Sequence, residues 1–130
     1  MRLALDTNAY VALMRGDAEV LALLEGADYL CISAVVLGEL SAGFLIGDRS
    51  ERNLRELDAF IDEAGVEVLA IGRREAERYG ALVKALRELG RPMPTNDIWI
   101  AAAALCADAR LLSADARFSK VPGLVAMGWG

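Results

Sequence analysis

Four acidic residues sit beside apolar runs that a fold would bury. Leu3-Ala4-Leu5 runs straight into Asp6, and the apolar stretch from Ile98 to Ala107 is preceded by Asp97. Glu39 lies among Val35, Val36, Leu37 and Leu40, while Asp115 follows Leu111-Leu112 after two small residues. Each has a plain alternative when taken singly. Asp6 and Asp97 suit the start of a helix, where a carboxylate satisfies exposed N–H groups. Asp115 suits a turn, and Glu39 a solvated helix face. Taken jointly they point to chemistry. Carboxylates brought together repel one another, and a fold tolerates such a cluster when it holds cations. Oxygen-only ligation selects Mg²⁺ or Mn²⁺ over zinc. Such an ion can activate water against a phosphodiester and stabilise the leaving oxygen.

The chain contains no histidine. That removes Ser-His-Asp and Cys-His triads, HExxH zinc sites and histidine acid–base pairs. Catalysis, if present, rests on carboxylates, hydroxyls, amides or metal.

The elements that would position these residues follow from pattern. Leu3 to Leu5 reads as a buried strand. Thr7 or Asn8 can cap a helix to about Arg15, stopped by Gly16, and Asp17 can cap a second helix that carries Val20, Leu23 and Leu24 inward. Tyr29 to Ile32 reads as strand two, and Ser33 caps a helix through Ile46. A helix from Ser50 to Glu63 places Leu54, Leu57, Phe60 and Ile61 on one face. Val66 to Ile71 reads as strand three. Arg74 to Leu89 reads as an amphipathic helix with Tyr79, Leu82, Val83, Leu86 and Leu89 inward. The loop Gly90-Arg91-Pro92-Met93-Pro94 precedes a helix capped by Thr95 or Asn96 and running through Ala107. Arg110 to Ser113 reads as strand four, Asp115 to Phe118 as a loop or helical turn, and Leu124 to Met127 as a fifth strand.

Strands alternating with helices imply right-handed crossovers. The expected fold class is α/β: a mostly parallel sheet of four to five strands flanked by helices on both faces, in one domain over residues 1–130. Ligands of such sheets bind outside the carboxyl ends of the strands. Asp6 ends strand one, and Asp115 lies just beyond strand four. Asp97 is in the first turn of its helix. Glu39 lies between one and two turns into the helix after strand two, within reach of the same edge.

Four segments resemble the motifs of PIN-domain nucleases. Leu3-Ala4-Leu5-Asp6-Thr7-Asn8 is similar to their opening strand and acidic turn. Ser33-Ala34-Val35-Val36-Leu37-Gly38-Glu39-Leu40 resembles the second motif, with its helix-borne Glu. Asn96-Asp97-Ile98-Trp99-Ile100-Ala101-Ala102 resembles the third. Leu111-Leu112-Ser113-Ala114-Asp115, followed by Phe118 and Val121-Pro122-Gly123-Leu124, resembles the fourth. The match spans nearly the whole chain in the right order, and the compact length resembles VapC-type toxins of toxin–antitoxin pairs. The resemblance implies a PIN-like three-layer sandwich and a Mg²⁺- or Mn²⁺-dependent endoribonuclease. It also implies inhibition by a cognate antitoxin protein, and a homodimer. RNA rather than DNA is part of what the resemblance implies. It places metal-binding and catalytic roles on Asp6, Glu39, Asp97 and Asp115, with supporting polar groups at Thr7, Asn8, Asn96 and Ser113. The hydroxyls of Thr7 and Ser113 would hydrogen-bond carboxylates or metal-bound water. Asn96 could equally cap its helix or contact substrate. Many relatives carry an acidic residue two positions beyond the fourth-motif Asp, where this chain has Arg117. That leaves one-metal and two-metal mechanisms open.

The remaining features bound this reading. The chain has 130 residues, 55% hydrophobic and 25% charged, enough for one cored domain. Met1-Arg2 leads directly into the first strand without a secretory leader, and no apolar run could span a bilayer. A soluble cytoplasmic protein with no membrane partner is therefore expected. Cys31 and Cys106 are expected to be reduced and buried. The net charge of −5 argues mildly against nucleic acid, but four of those charges belong to the proposed site, which leaves −1 for the rest. The basic residues are 12 arginines and two lysines. Arg15, Arg91 and Arg117 lie nearest the presumed site and are candidates for contact with RNA phosphate. Trp99 points to a different helix face from Asp97, toward core or a dimer interface. The apolar helices around Val11, Leu13, Met14 and Leu45 offer either core or an antitoxin groove.

Two alternatives remain at this point: a structure-specific nuclease without an antitoxin, and a degenerate PIN-like module that binds RNA or protein. Phosphotransfer folds fit worse. A haloacid-dehalogenase-like phosphatase would place an Asp two residues after Asp6, where Asn8 stands. A receiver domain would want an Asp after its third strand, where Gly72-Arg73-Arg74 follows.

Overall fold

The computed structural model describes residues 1–130. Five strands alternate with six helices: β1 (Arg2–Leu5), α1 (Thr7–Met14), α2 (Ala18–Glu25), β2 (Tyr29–Ser33), α3 (Ala34–Ile46), α4 (Ser50–Glu63), β3 (Glu67–Leu69), α5 (Arg73–Glu88), α6 (Thr95–Cys106), β4 (Arg110–Leu112) and β5 (Ala126–Met127). A 3₁₀ turn, Ala116–Lys120, follows β4.

All strand pairs are parallel, in the order β3-β2-β1-β4-β5. The chain builds outward from β1 to β3, then returns to lay β4 against the other side of β1. The reversal falls between β1 and β4, and the crevice at their carboxyl ends is where open parallel sheets place ligands. The register pairs Leu3 with Arg110 and Leu5 with Leu112, so Asp6 and Ser113 leave the sheet side by side.

Side chains of β1 alternate between two cores, as strand geometry requires. Leu3 and Leu5 pack with Ala9 of α1 and with Val20 and Leu24 of α2. Ala4 points the other way, into a larger core with Leu82 and Leu86 of α5 and with Ile98, Ile100 and Ala101 of α6. Helices on both faces follow from that alternation. Leu3, Leu5, Leu111 and Leu112 are each at most 1% exposed, and full burial of such a side chain stabilises by about 1.5–3 kcal/mol.

The element order and class match the expected fold, and α4 spans the expected residues. Local chemistry corrects several details. Asp6, not Thr7 or Asn8, caps α1, accepting from the Thr7 amide. Pro94 stands at the N-cap of α6, and neither Thr95 nor Asn96 caps it. Asp17 and Ser33 cap α2 and α3 as read. Gly16, at φ 82°, turns the chain out of α1 through a conformation that favours glycine. Strands β3 and β5 are shorter than their apolar runs, because each lies at a sheet edge with one partner only. Leu89 falls one residue past α5 and is 54% exposed rather than inward. Both cysteines are free, but only Cys31 is buried; Cys106 is half-buried. Trp99 stacks on Tyr79 of α5 with centroids 4.0 Å apart. No helix is long and apolar enough to cross a membrane.

Tyr10 is 2% exposed against Phe60, and its hydroxyl has no hydrogen-bond partner. A buried unpaired hydroxyl carries a desolvation cost with no return. Tyr10→Phe is therefore expected to raise unfolding stability by about 1 kcal/mol, read from urea denaturation. A loss of stability would contradict the unpaired assignment.

Candidate active site

Strand β1 ends at Leu5, and the next residue, Asp6, begins α1 without leaving the sheet edge. Its amide donates to the Leu112 carbonyl at 3.0 Å, continuing the β1–β4 ladder by one bond. Asp6 as a residue is 6% exposed, a costly place for a charge without donors. Donors are supplied: the Thr7 amide at 2.8 Å, the Ser113 hydroxyl at 2.6 Å and the Asn8 amide group at 3.4 Å. Ser113 in turn accepts from the Asp115 amide at 3.0 Å and from Asn8 Nδ2 at 3.2 Å. Asn8 Oδ1 accepts from the Ala114 amide at 3.0 Å. These bonds tie the turn after β1 to the turn after β4.

Glu39 arrives from α3 on the β2 side of β1. Thr7 Oγ1 donates to its Oε1 at 2.5 Å, and Asn96 Nδ2 to its Oε2 at 3.3 Å. Asn96 therefore orients a carboxylate rather than capping its helix. Asp97, one residue on, enters beside it, because α6 packs against the same face of the sheet as α3. Asp115 caps the 3₁₀ turn by accepting from the Arg117 amide at 2.9 Å.

Asp6, Glu39, Asp97 and Asp115 all line one open cleft of about 830 Å³. Thr7, Asn8 and Arg15 line it as well. Arg117 reaches it from the 3₁₀ turn, donating to Asp115 Oδ2 at 2.7 Å and Asp97 Oδ2 at 3.2 Å. Arg91 is exposed in the loop before α6 and lies outside the cleft lining. Asp17 and Trp129 are among the lining residues to which the sequence alone gave no site role. Asp17 was legible only as a helix cap. Trp129 stands two residues beyond the end of β5, so its place at the edge follows once the fifth strand is registered on β4. Val11 faces this acidic cleft, whereas Leu13 and Met14 line a separate apolar groove.

The electrostatics follow from crowding. Burial raises the Asp6 carboxyl above its usual value; Ser113 and Thr7 oppose the rise, and Glu39 and Asp115 add to it. Burial also raises Asp97, which Arg117 opposes and the other three carboxylates reinforce. Asp115 is lowered, chiefly by its bonds to Arg117. The donor set is oxygen alone, which suits a hard divalent cation. No three acidic side chains form a ready-made cage. Mg²⁺ does not require one, since it keeps several waters and takes one or two carboxylates together with substrate oxygens.

Fold and cleft together define a class: a parallel α/β domain with a carboxylate-lined crevice at its topological switch point. Known proteins name it. Residues 3–124 match the family model described as PIN domain. The chain is 28% identical over 130 residues to Ribonuclease VapC1 of Haemophilus influenzae, covering 96% of each. The structure of VapBC2 from Rickettsia felis, bound to a promoter DNA fragment, superposes with a TM-score of 0.88 at 28% identity, covering 100% of both chains. VapBC-5 of Mycobacterium tuberculosis, a member of the VapBC family of toxin–antitoxin systems, superposes with a TM-score of 0.75 at 26% identity over 98% of both chains. This chain belongs to the PIN domain family.

The raised carboxyls make stability depend on pH. A carboxyl raised on folding binds its proton more tightly when folded; its contribution is complete below the unfolded value and is lost as pH rises through the folded one. The lowered group Asp115 is ionised in both states above that range and adds no slope there. With no histidine to titrate, the melting temperature in EDTA should fall as pH rises from the ordinary carboxyl range through the raised values of Asp6 and Asp97, and added Mn²⁺ should flatten the decline. A melting temperature that climbs across this window in EDTA would contradict the raised Asp6 and Asp97.

Proposed function

We propose that this chain is a divalent-metal-dependent endoribonuclease that acts as the toxin of a toxin–antitoxin pair and is held inactive by a cognate antitoxin. The observation that carries the proposal is the convergence of Asp6, Glu39, Asp97 and Asp115 on one cleft at the β1–β4 switch point. The likeness to a VapC ribonuclease and to VapBC structures across the whole chain supports the same reading.

In this reading Asp6 and Asp97, supported by Glu39 and Asp115, hold Mg²⁺ or Mn²⁺. A bound cation supplies the Lewis acid that activates water and offsets charge on the phosphodiester. The protein supplies placement. Ser113, Asn8 and the Thr7 amide keep the Asp6 carboxylate in one orientation, and Thr7 and Asn96 do the same for Glu39. Such supporting bonds fix carboxylate geometry before substrate arrives. Arg15 lies exposed at the cleft wall, placed to meet a phosphate of the RNA strand. On this reading the protein acts in the cytoplasm, where its RNA substrate is.

The antitoxin has a surface suited to it. Leu13, Met14, Leu21, Leu24 and Phe60 line an apolar groove of about 700 Å³. Gly16 and Asp17 border both groove and cleft, so an inhibitor segment in the groove can continue into the active site. Leu45 and Ile46, 65% and 87% exposed at the end of α3, offer apolar surface for a homodimer.

The test is cleavage of total cellular RNA by purified protein with Mg²⁺ or Mn²⁺, with EDTA, and with Asp97→Asn. Discrete metal-dependent fragments are expected, with the variant slower by about 100-fold or more. Wild-type activity in Asp97→Asn would overturn the assignment. Cleavage of DNA but not RNA would favour a structure-specific nuclease. No cleavage by folded protein, together with no Mn²⁺ binding, would favour a binding module.

A further inference from the structure

Asp97 and Asp115 come from different elements, yet a third residue joins them. The Arg117 guanidinium meets Asp115 edge-on, its Nε at 3.1 Å from both carboxylate oxygens and its Nη2 at 2.7 Å from Oδ2. The same Nη2 reaches Asp97 Oδ2 at 3.2 Å. The 3₁₀ turn enforces this placement, because Asp115 also accepts from the Arg117 backbone amide. Arg15, which lines the cleft itself, makes no ion pair with any of the four carboxylates.

Exposure is uneven across this triad. The Arg117 side chain is 56% exposed, against 17% for Asp97 and 26% for Asp115. The guanidinium is therefore the outer member. It can swing into solvent without opening the core, while the two carboxylates stay in place. Its N–H groups hold both oxygens of Asp115 and Oδ2 of Asp97, carboxylates that line the cleft and would have to free oxygens for a divalent cation.

We propose that Arg117 is a built-in cation that closes the Asp97–Asp115 side of the cleft in the metal-free protein, and that a divalent metal must displace it to enter. The proposal rests on the metal-dependent reading above. Two effects oppose metal entry while Arg117 is seated. Its N–H groups take lone pairs that the metal needs, and its positive charge repels the ion. The apparent metal affinity is then the intrinsic affinity reduced by the fraction of molecules with Arg117 swung out. The same contact relieves repulsion among the carboxylates before metal arrives, so the cleft stays folded without its ion.

The measurement is calorimetric titration of the intact chain with Mn²⁺ at neutral pH, comparing wild type, Arg117→Ala and Arg117→Gln. The glutamine variant keeps a polar side chain of similar reach without the charge. Exposed ion pairs are individually weak, so loss of the two contacts should tighten Mn²⁺ binding by about tenfold in both variants. Binding detectable in the variants but not in wild type would support the proposal in stronger form. Equal or weaker binding in both variants would overturn it and leave the nuclease reading intact. No binding by any of the three proteins would overturn both. Circular dichroism checks the fold; if both variants unfolded, Arg117 would be a structural tie and its displacement would be ruled out.

Discussion

Strands β1 and β4 lie side by side although about a hundred residues separate them in the chain, and the site is a consequence of that pairing. The parallel register sets Leu5 against Leu112. The next residues, Asp6 and Ser113, must then meet at the carboxyl edge, where the Ser113 hydroxyl donates to the Asp6 carboxylate. Everything else in the cleft is arranged around this pair. α3 departs from β2 on one side of β1 and brings Glu39. α6 packs beside α3 on the same face of the sheet and brings Asp97. The turn after β4 brings Asp115 and Arg117. A slip of one residue in the β1–β4 register would turn Leu3 and Leu5 to the wrong face and separate Asp6 from Ser113.

The pairing is held by apolar burial, and the apolar burial sets the electrostatics. Leu3, Leu5, Leu111 and Leu112 are almost fully enclosed, which places Asp6 at the rim of a low-dielectric core. A carboxylate there is hard to ionise, and its neighbours Glu39 and Asp115 make it harder. Fixed donors on Thr7, Asn8 and Ser113 meet part of that cost. Arg117 meets part of it for Asp97 and Asp115. A divalent cation meets the remainder in the proposed reaction, so the features that strain the metal-free site are those that favour metal and phosphate together.

Much of the fold was legible because periodicity survives in a single sequence. α4 shows it most clearly: Leu54, Leu57, Phe60 and Ile61 recur at helical spacing, and the helix spans Ser50–Glu63 as expected. Edge strands were less legible. β3 and β5 have one neighbour each, so their pairing ends before their apolar runs do. Helix starts were misassigned where several capping residues compete. At Asp6-Thr7-Asn8 each type can cap, and the choice fell to Asp6 because Asn8 is drawn to Ser113 and Thr7 to Glu39. Those partners lie 105 and 32 residues away, beyond the reach of any local rule.

The sequence by itself determined the alternation of strands and helices, the absence of histidine chemistry, and four carboxylates placed at element ends, because each depends only on residue type and near neighbours. Tertiary structure decided the rest. It placed Arg117 on Asp97 and Asp115 and left Arg91 outside the cleft, although both are arginines in loops beside motif residues. It brought Trp129 and Asp17 to the cleft wall, and it turned Asn96 from a helix cap into a donor for Glu39. The physical reason is common to these cases. A side chain's partner is set by which strand ends lie adjacent at the sheet edge, and that adjacency exists only once β4 has returned to pair with β1.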